Sequence, residues 1–114
     1  MGKAYKEIPS QYNVGGTKIE VRNVERCDDN CVGMAHTCSG YIEIADRFNK
    51  DDVQSETSKR NTFFHELTHT ILATMGETEL NNNEKFVSCL SSFLTEAMTN
   101  AVFIEDKEQP IETL

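Results

Sequence analysis

The chain has 114 residues, a net charge of −8 and 38% apolar residues, which suits one domain with a modest core. The acidic balance argues against direct binding to nucleic acid or to an anionic membrane, since both need a basic surface. No apolar run approaches the ~18 residues of a transmembrane helix.

The first residues, "MGKAYKEIPSQY", have no apolar stretch of the kind a signal peptide needs, and Lys6 stands where myristoylation calls for Ser or Thr. The expectation is a soluble cytoplasmic protein. Residues 1–13 are expected to be peripheral. "TKIEVRNVE" (Thr17–Glu25) follows a Gly15-Gly16 turn signal, and its Ile19 and Val21 alternate with polar residues, the pattern of a half-buried strand. "CDDNC" then reads as a loop. "YIEIA" (Tyr41–Ala45) is a second strand, with Ile42 and Ile44 on one face and Tyr41 and Glu43 on the other. Ser39-Gly40 just before it would be a hairpin turn, which makes "GMAHTC" (Gly33–Cys38) the partner strand.

The cysteines are Cys27, Cys31, Cys38 and Cys89. Reduced thiols are expected in a chain with no mark of secretion. Cys89 falls in an apolar helical segment and is expected in the core. Cys27, Cys31, His36 and Cys38 form C-x3-C-x4-H-x-C, four soft ligands that could hold a second, structural metal. The plain alternative is a set of loop and core thiols.

After the polar stretch 49–58, a helix is expected to run to Met75 and to stop at Gly76. It has two candidate starts, Asp51 with Gln54 as a capping box, or Ser55 as a simple cap. Phe63, Phe64, Leu67, Thr68, Ile71 and Met75 would form its buried face. Within it, "TFFHELTHTIL" (Thr62–Leu72) contains H-E-x-x-H. Residues four apart lie one turn apart on one helix face, so His65 and His69 can offer ring nitrogens to a single zinc ion. Glu66, turned ~100° from His65, is close enough to act as a base on a water there. The plain alternative is an amphipathic helix with two satisfied histidines.

"ELNNNEKF" (Glu79–Phe86) restarts a helix. Phe86, Val87, Leu90, Phe93, Leu94, Ala97 and Ala101 then recur at helical spacing. The end of the chain, residues 105–114, is charged, contains Pro110 and is expected to fray. Strands come first and helices second, an α+β arrangement. About three strands in a small antiparallel sheet would pack on the H-E-x-x-H helix and a second, C-terminal helix, in a single domain.

A catalytic zinc usually has three protein ligands and an open position. Glu84, Glu77, Glu79, Asp46 and His36 are candidates for the third. A short connection would return the second helix antiparallel beside the first, so that Glu84 in its first turn faces back toward His69. Asn81-x-x-Glu84 is also a capping-box pattern, and the alternative role for Glu84 is to serve only the helix end.

"RNTFFHELTHTIL" followed by "NNNEKFVSCLSSFL" resembles the ImmA/IrrE-like metallopeptidases of the gluzincin branch of the zincins. That family has a strand of the "G-x-I-x-I" kind before the motif helix, a place held here by "GYIEI" (Gly40–Ile44). Its third ligand is a glutamate opening the next helix, and Glu84 before "KFVSCL" matches that position. The resemblance covers roughly residues 40–97. It implies a minimal zincin-like fold, His65, His69 and Glu84 as zinc ligands, and Glu66 as catalytic base. The interval from His69 to Glu84 is short for a gluzincin, and no helix-turn-helix segment accompanies it.

The function expected is therefore that of a zinc metalloendopeptidase, phage or mobile-element encoded, acting on a specific protein or peptide partner. His36 and Tyr41 are candidates for stabilising the oxyanion. The strand at Tyr41–Ala45 is a candidate edge for holding the peptide. A non-catalytic zinc module that binds a repressor or other protein is the first alternative, and a metal-free interaction domain the second.

Overall fold

The computed structural model describes residues 8–27, 31–102 and 104. It is α+β: a four-stranded sheet and three helices. The strands are β1 (Gln11–Val14), β2 (Thr17–Val24), β3 (Gly33–His36) and β4 (Tyr41–Ala45), in the order β1-β2-β4-β3. The helices are α1 (Glu56–Met75), α2 (Thr78–Asn81) and α3 (Glu84–Thr99).

The sheet is mixed, whereas an antiparallel one of about three strands was expected. β1 joins β2 through a two-residue hairpin at Gly15 and Gly16, with φ of 57° and 83°. Both values lie in the left-handed region, where only glycine is unstrained, and they suit the tight turn that matches strand twist. Within residues 1–13, expected to be peripheral, Gln11–Asn13 form part of the edge strand β1. β2 and β4 pair in parallel, Val21 opposite Ile42, which no local pattern reveals. β3 pairs antiparallel with β4, as expected for Gly33–His36. The link between them is a single 3-10 turn at Thr37–Ser39, closed by Gly40 at φ 80°, so Cys38 lies outside the strand. Asp28–Asn30 of the expected "CDDNC" loop and residues 105–114 lie outside the described residues.

Period-2 alternation gives the sheet one apolar face. Ile19, Ile42 and Ile44 are buried against Phe63 and Phe64 of α1, with Tyr12, Val21, Ala35, Leu67, Leu94 and Met98 packed around them. Each fully buried Ile or Phe among them contributes about 1.5–3 kcal/mol over exposure. Glu20, Arg22, Tyr41 and Glu43 alternate onto the other face, where the Arg22 guanidinium sits 3.8 Å from the Tyr41 ring centre.

Helix α1 begins at Ser55, whose side chain accepts from the Ser58 N–H, and ends at Gly76 in the left-handed conformation. The alternative start at Asp51 is set aside because Gln54 has another role. It is 2% exposed, donates to the Ala45 carbonyl, and accepts from Ser58 Oγ at 2.8 Å and Thr62 Oγ1 at 2.6 Å. This buried amide ties the end of β4 to the first turns of α1. Met75, expected on the buried face, is 64% exposed at the last turn.

Helix α3 runs back beside α1: Thr95 donates to Asn61, while Glu84 meets His65 and His69. Only one stripe of it is covered. Val87 and Ser91 are buried and Leu94 half-buried, whereas Cys89 is exposed, Leu90 is 38% exposed and Phe93 70% exposed. Cys89 is thus a surface thiol and not a core one. Among the described residues, no helix is long and apolar enough to cross a membrane.

Candidate metal centre

His65 and His69 project from the middle of α1 with ring centres 5.0 Å apart, as one-turn spacing dictates. Glu84, in the first turn of α3, lies across from them. Its Oε1 is 3.1 Å from His65 Nε2 and its Oε2 is 3.1 Å from His69 Nε2. These three side chains are the one group among the described residues with ligand atoms close enough to hold a metal, all within 4.8 Å of one another. Glu77, Glu79, Asp46 and His36 are not part of it. The capping role once open to Asn81 belongs to Asn83, whose side chain accepts from the Phe86 N–H. That leaves the Glu84 carboxylate free to face α1.

Hydrogen-bond accounting sharpens the geometry. A neutral imidazole has one N–H donor. His69 Nδ1 lies 2.6 Å from Asn81 Oδ1, an acceptor, so the proton belongs there. In the neutral ring Nε2 then turns a lone pair toward a carboxylate oxygen at 3.1 Å, which sets two acceptors face to face. Burial, followed by the proximity of His69, holds the His65 pKa below its ordinary value, so His65 favours the neutral form. A cation held among these atoms would satisfy both lone pairs. Each ring nitrogen lies 3.1 Å from one Glu84 oxygen, near the ~3.3 Å ligand–ligand edge of a four-coordinate zinc site, and the ligand atoms together lie within 4.8 Å of one another.

Glu66 sits beside this group and lines the same cleft. It is 7% exposed and accepts a hydrogen bond from the Ala35 backbone N–H. Burial pushes its pKa up to about 7, partly opposed by His69. A carboxyl poised near neutrality can both take up and release a proton.

Strand β3 passes very close to this carboxylate. Gly33 permits the approach: a side-chain carbon there would collide with Thr62 and stand 3.2 Å from Glu66 Cγ and Oε2. Thr62 cannot yield easily, because it is buried and held by Gln54. The resulting cleft has a volume of about 420 Å³, and Gly33, Met34 and Ala35 line it opposite His65, His69 and Glu84. A mostly apolar recess of about 280 Å³ adjoins it, between Val32 and Asn61.

Three expectations are corrected. The edge strand at the cleft is β3, whereas β4 (Tyr41–Ala45) is interior, flanked by β2 and β3. His36 and Tyr41 do not line the cleft. Tyr41 alternates with the buried Ile42 onto the outer sheet face, where the His36 ring stacks on it at 4.4 Å and pairs with Glu43 at 3.1 Å. Neither is aimed at an oxyanion beside the ligands. Cys27, Cys31, His36 and Cys38 do not gather into a second metal site. Cys27 is buried, Cys31 and Cys38 are exposed, and the His36 ring is turned to Glu43.

Sequence reasoning missed Gly33 and Asn81. An isolated glycine opening a strand is a signal for close backbone approach. Asn81 carries no comparable local signal, since its contact depends on the fold of the connection between α1 and α3. No protein-family model, curated protein or solved structure matches the chain.

Proposed function

We propose that this chain is a zinc-dependent peptidase that cleaves a peptide bond in a specific protein partner. The observation that carries the reading is the convergence of His65, His69 and Glu84 beside a buried, near-neutral Glu66. Two imidazoles and one carboxylate are a donor set suited to catalytic zinc. The likeness to the ImmA/IrrE-like gluzincins, an intracellular setting and a mobile-element origin belong to the same proposal.

A zinc ion held there would lower the pKa of water to about 7 and polarise the substrate carbonyl. The protein's own part is proton handling and positioning. Glu66 takes the proton of the attacking water and delivers it to the leaving amine. The Ala35 N–H fixes the carboxylate during both transfers. The edge of β3 not paired with β4 offers an extended peptide a place to add as a strand.

Glu66→Gln preserves shape and hydrogen bonding but removes the base. Wild type and Glu66→Gln, each loaded with zinc, are incubated with host-cell extract, and new protein N-termini are identified by mass spectrometry. Wild type is expected to generate termini that the variant makes ~10²–10⁴-fold more slowly. Identical profiles from two zinc-loaded proteins would remove the peptidase reading and leave a zinc-binding regulatory module in its place. Absence of zinc binding by wild type would leave a metal-free interaction domain.

A further inference from the structure

The three asparagines between α1 and α3 have three different roles. Asn83 caps α3 through its side chain. Asn82 closes α2 through its backbone N–H. Asn81, the last residue of α2, accepts from His69 Nδ1 at 2.6 Å, across twelve residues of sequence. The contact is sheltered, with the His69 side chain only 18% exposed.

We propose that Asn81 is a positioning residue for the metal, which holds His69 in the Nδ1–H form and so turns the Nε2 lone pair toward the ion. The inference rests on the zinc reading above. An imidazole on a helix can rotate about two side-chain bonds and exchange its proton between two nitrogens. Only one combination puts a lone pair at Nε2 next to Glu84. Asn81 Oδ1 selects it, because an amide oxygen can only accept, and so requires N–H at Nδ1.

The placement of Asn81 also bears on the short connection. Residues 76–83 alone separate α1 from α3. Asn81 and Glu84 stand three positions apart at its end, so one segment carries both the acceptor that orients His69 and the carboxylate facing it. The backbone of this segment is itself anchored, by the Asn81 N–H to the Glu77 carbonyl and the Glu77 N–H to the Leu72 carbonyl. Ring orientation and third-ligand position are thereby set together.

The test is zinc affinity, measured by competition with a chromophoric chelator, for wild type, Asn81→Ala and Asn81→Asp. Loss of such an outer hydrogen bond weakens metal binding ~10–100-fold, and that loss is expected for Asn81→Ala. Asn81→Asp keeps size and acceptor and should bind at least as tightly as wild type. A purely structural role would not move a second readout. In zinc-loaded wild type the His69 Nδ1–H proton should give a protected NMR signal that vanishes in Asn81→Ala, with the backbone spectrum otherwise retained. Equal zinc affinity in wild type and Asn81→Ala overturns the inference while leaving the metal centre standing. So does a failure of Asn81→Asp to bind. Should wild type bind no zinc at all, the metal centre falls, and this inference with it.

Discussion

His36 and His65 make the same contact in two regions of the molecule. Each places Nε2 at 3.1 Å from a glutamate oxygen, Glu43 in one case and Glu84 in the other. On the outer sheet face, one imidazole meets one carboxylate, and the ring is stacked on Tyr41 beneath Arg22. A proton shared between the partners satisfies that pair. Between α1 and α3, two imidazoles meet one carboxylate, and Asn81 already takes the proton of the second ring. Glu66, largely buried at the edge of the same cleft, adds a carboxyl pushed up toward neutrality. The length of a histidine–glutamate contact therefore says little. What marks the second group as a candidate metal centre is that three ligand-bearing side chains converge there, against two on the outer sheet face.

The comparison can be broken most forcefully by heat. At zinc concentrations ~1,000-fold above Kd, binding to the folded state stabilises by about 4 kcal/mol. Melting at pH 7.5 should therefore drop sharply on chelation in wild type and in His36→Ala alike. The gain must fade with acid. His65 has a folded pKa depressed by burial, so its neutral form supports stability above the unfolded value near 6.5 and is lost as pH falls. Zinc stabilisation should disappear below about pH 6. A melting curve indifferent to chelator at pH 7.5 would contradict the metal centre.

A smaller effect tests the close approach of β3 to Glu66. Gly33→Ala forces a methyl against Thr62 and the Glu66 side chain, an overpacking that costs about 1–3 kcal/mol. Chemical denaturation should register that loss, whereas Gly16→Ala, with open space around it and only a strained φ to tolerate, should lose less. Equal losses would show that the strand does not press on the site.

Glu66 supplies a third effect of opposite sign. In metal-free protein its folded pKa is raised from 4.5 to about 7, so folding carries no penalty below the unfolded value. Stability is lost as pH rises through the folded value, because the buried carboxylate must then ionise. Metal-free Glu66→Gln should match wild type near pH 4 and exceed it at pH 7.5 by roughly 1–3 kcal/mol. A constant difference across that range would mean that Glu66 is already ionised at low pH.

Much of this was legible in the sequence where contacts are local. One-turn spacing put His65 and His69 on a common face, and Gly76 ended α1 as expected. Alternation placed Tyr41 opposite Ile42 and Ile44, and that alone argues against Tyr41 in a cleft on the helix side. Non-local pairing was not legible. The parallel register of β2 with β4 makes β4 interior and hands the exposed edge to β3. Helical spacing marked Leu90 and Phe93 as one apolar set with Val87, but α1 covers only the Val87 stripe. Gln54 looked like a capping residue because its pattern with Asp51 is local, while its actual partners lie on β4 and α1.

The most direct test of the central claim is metal analysis of purified wild type, His65→Ala and His36→Ala after incubation with zinc and removal of the excess. The metal centre predicts one zinc per chain in wild type and in His36→Ala, and none in His65→Ala, because two remaining ligands bind weakly. Zinc retained in full by His65→Ala, or lost from His36→Ala, would contradict the assignment of the two histidine–glutamate contacts to different roles.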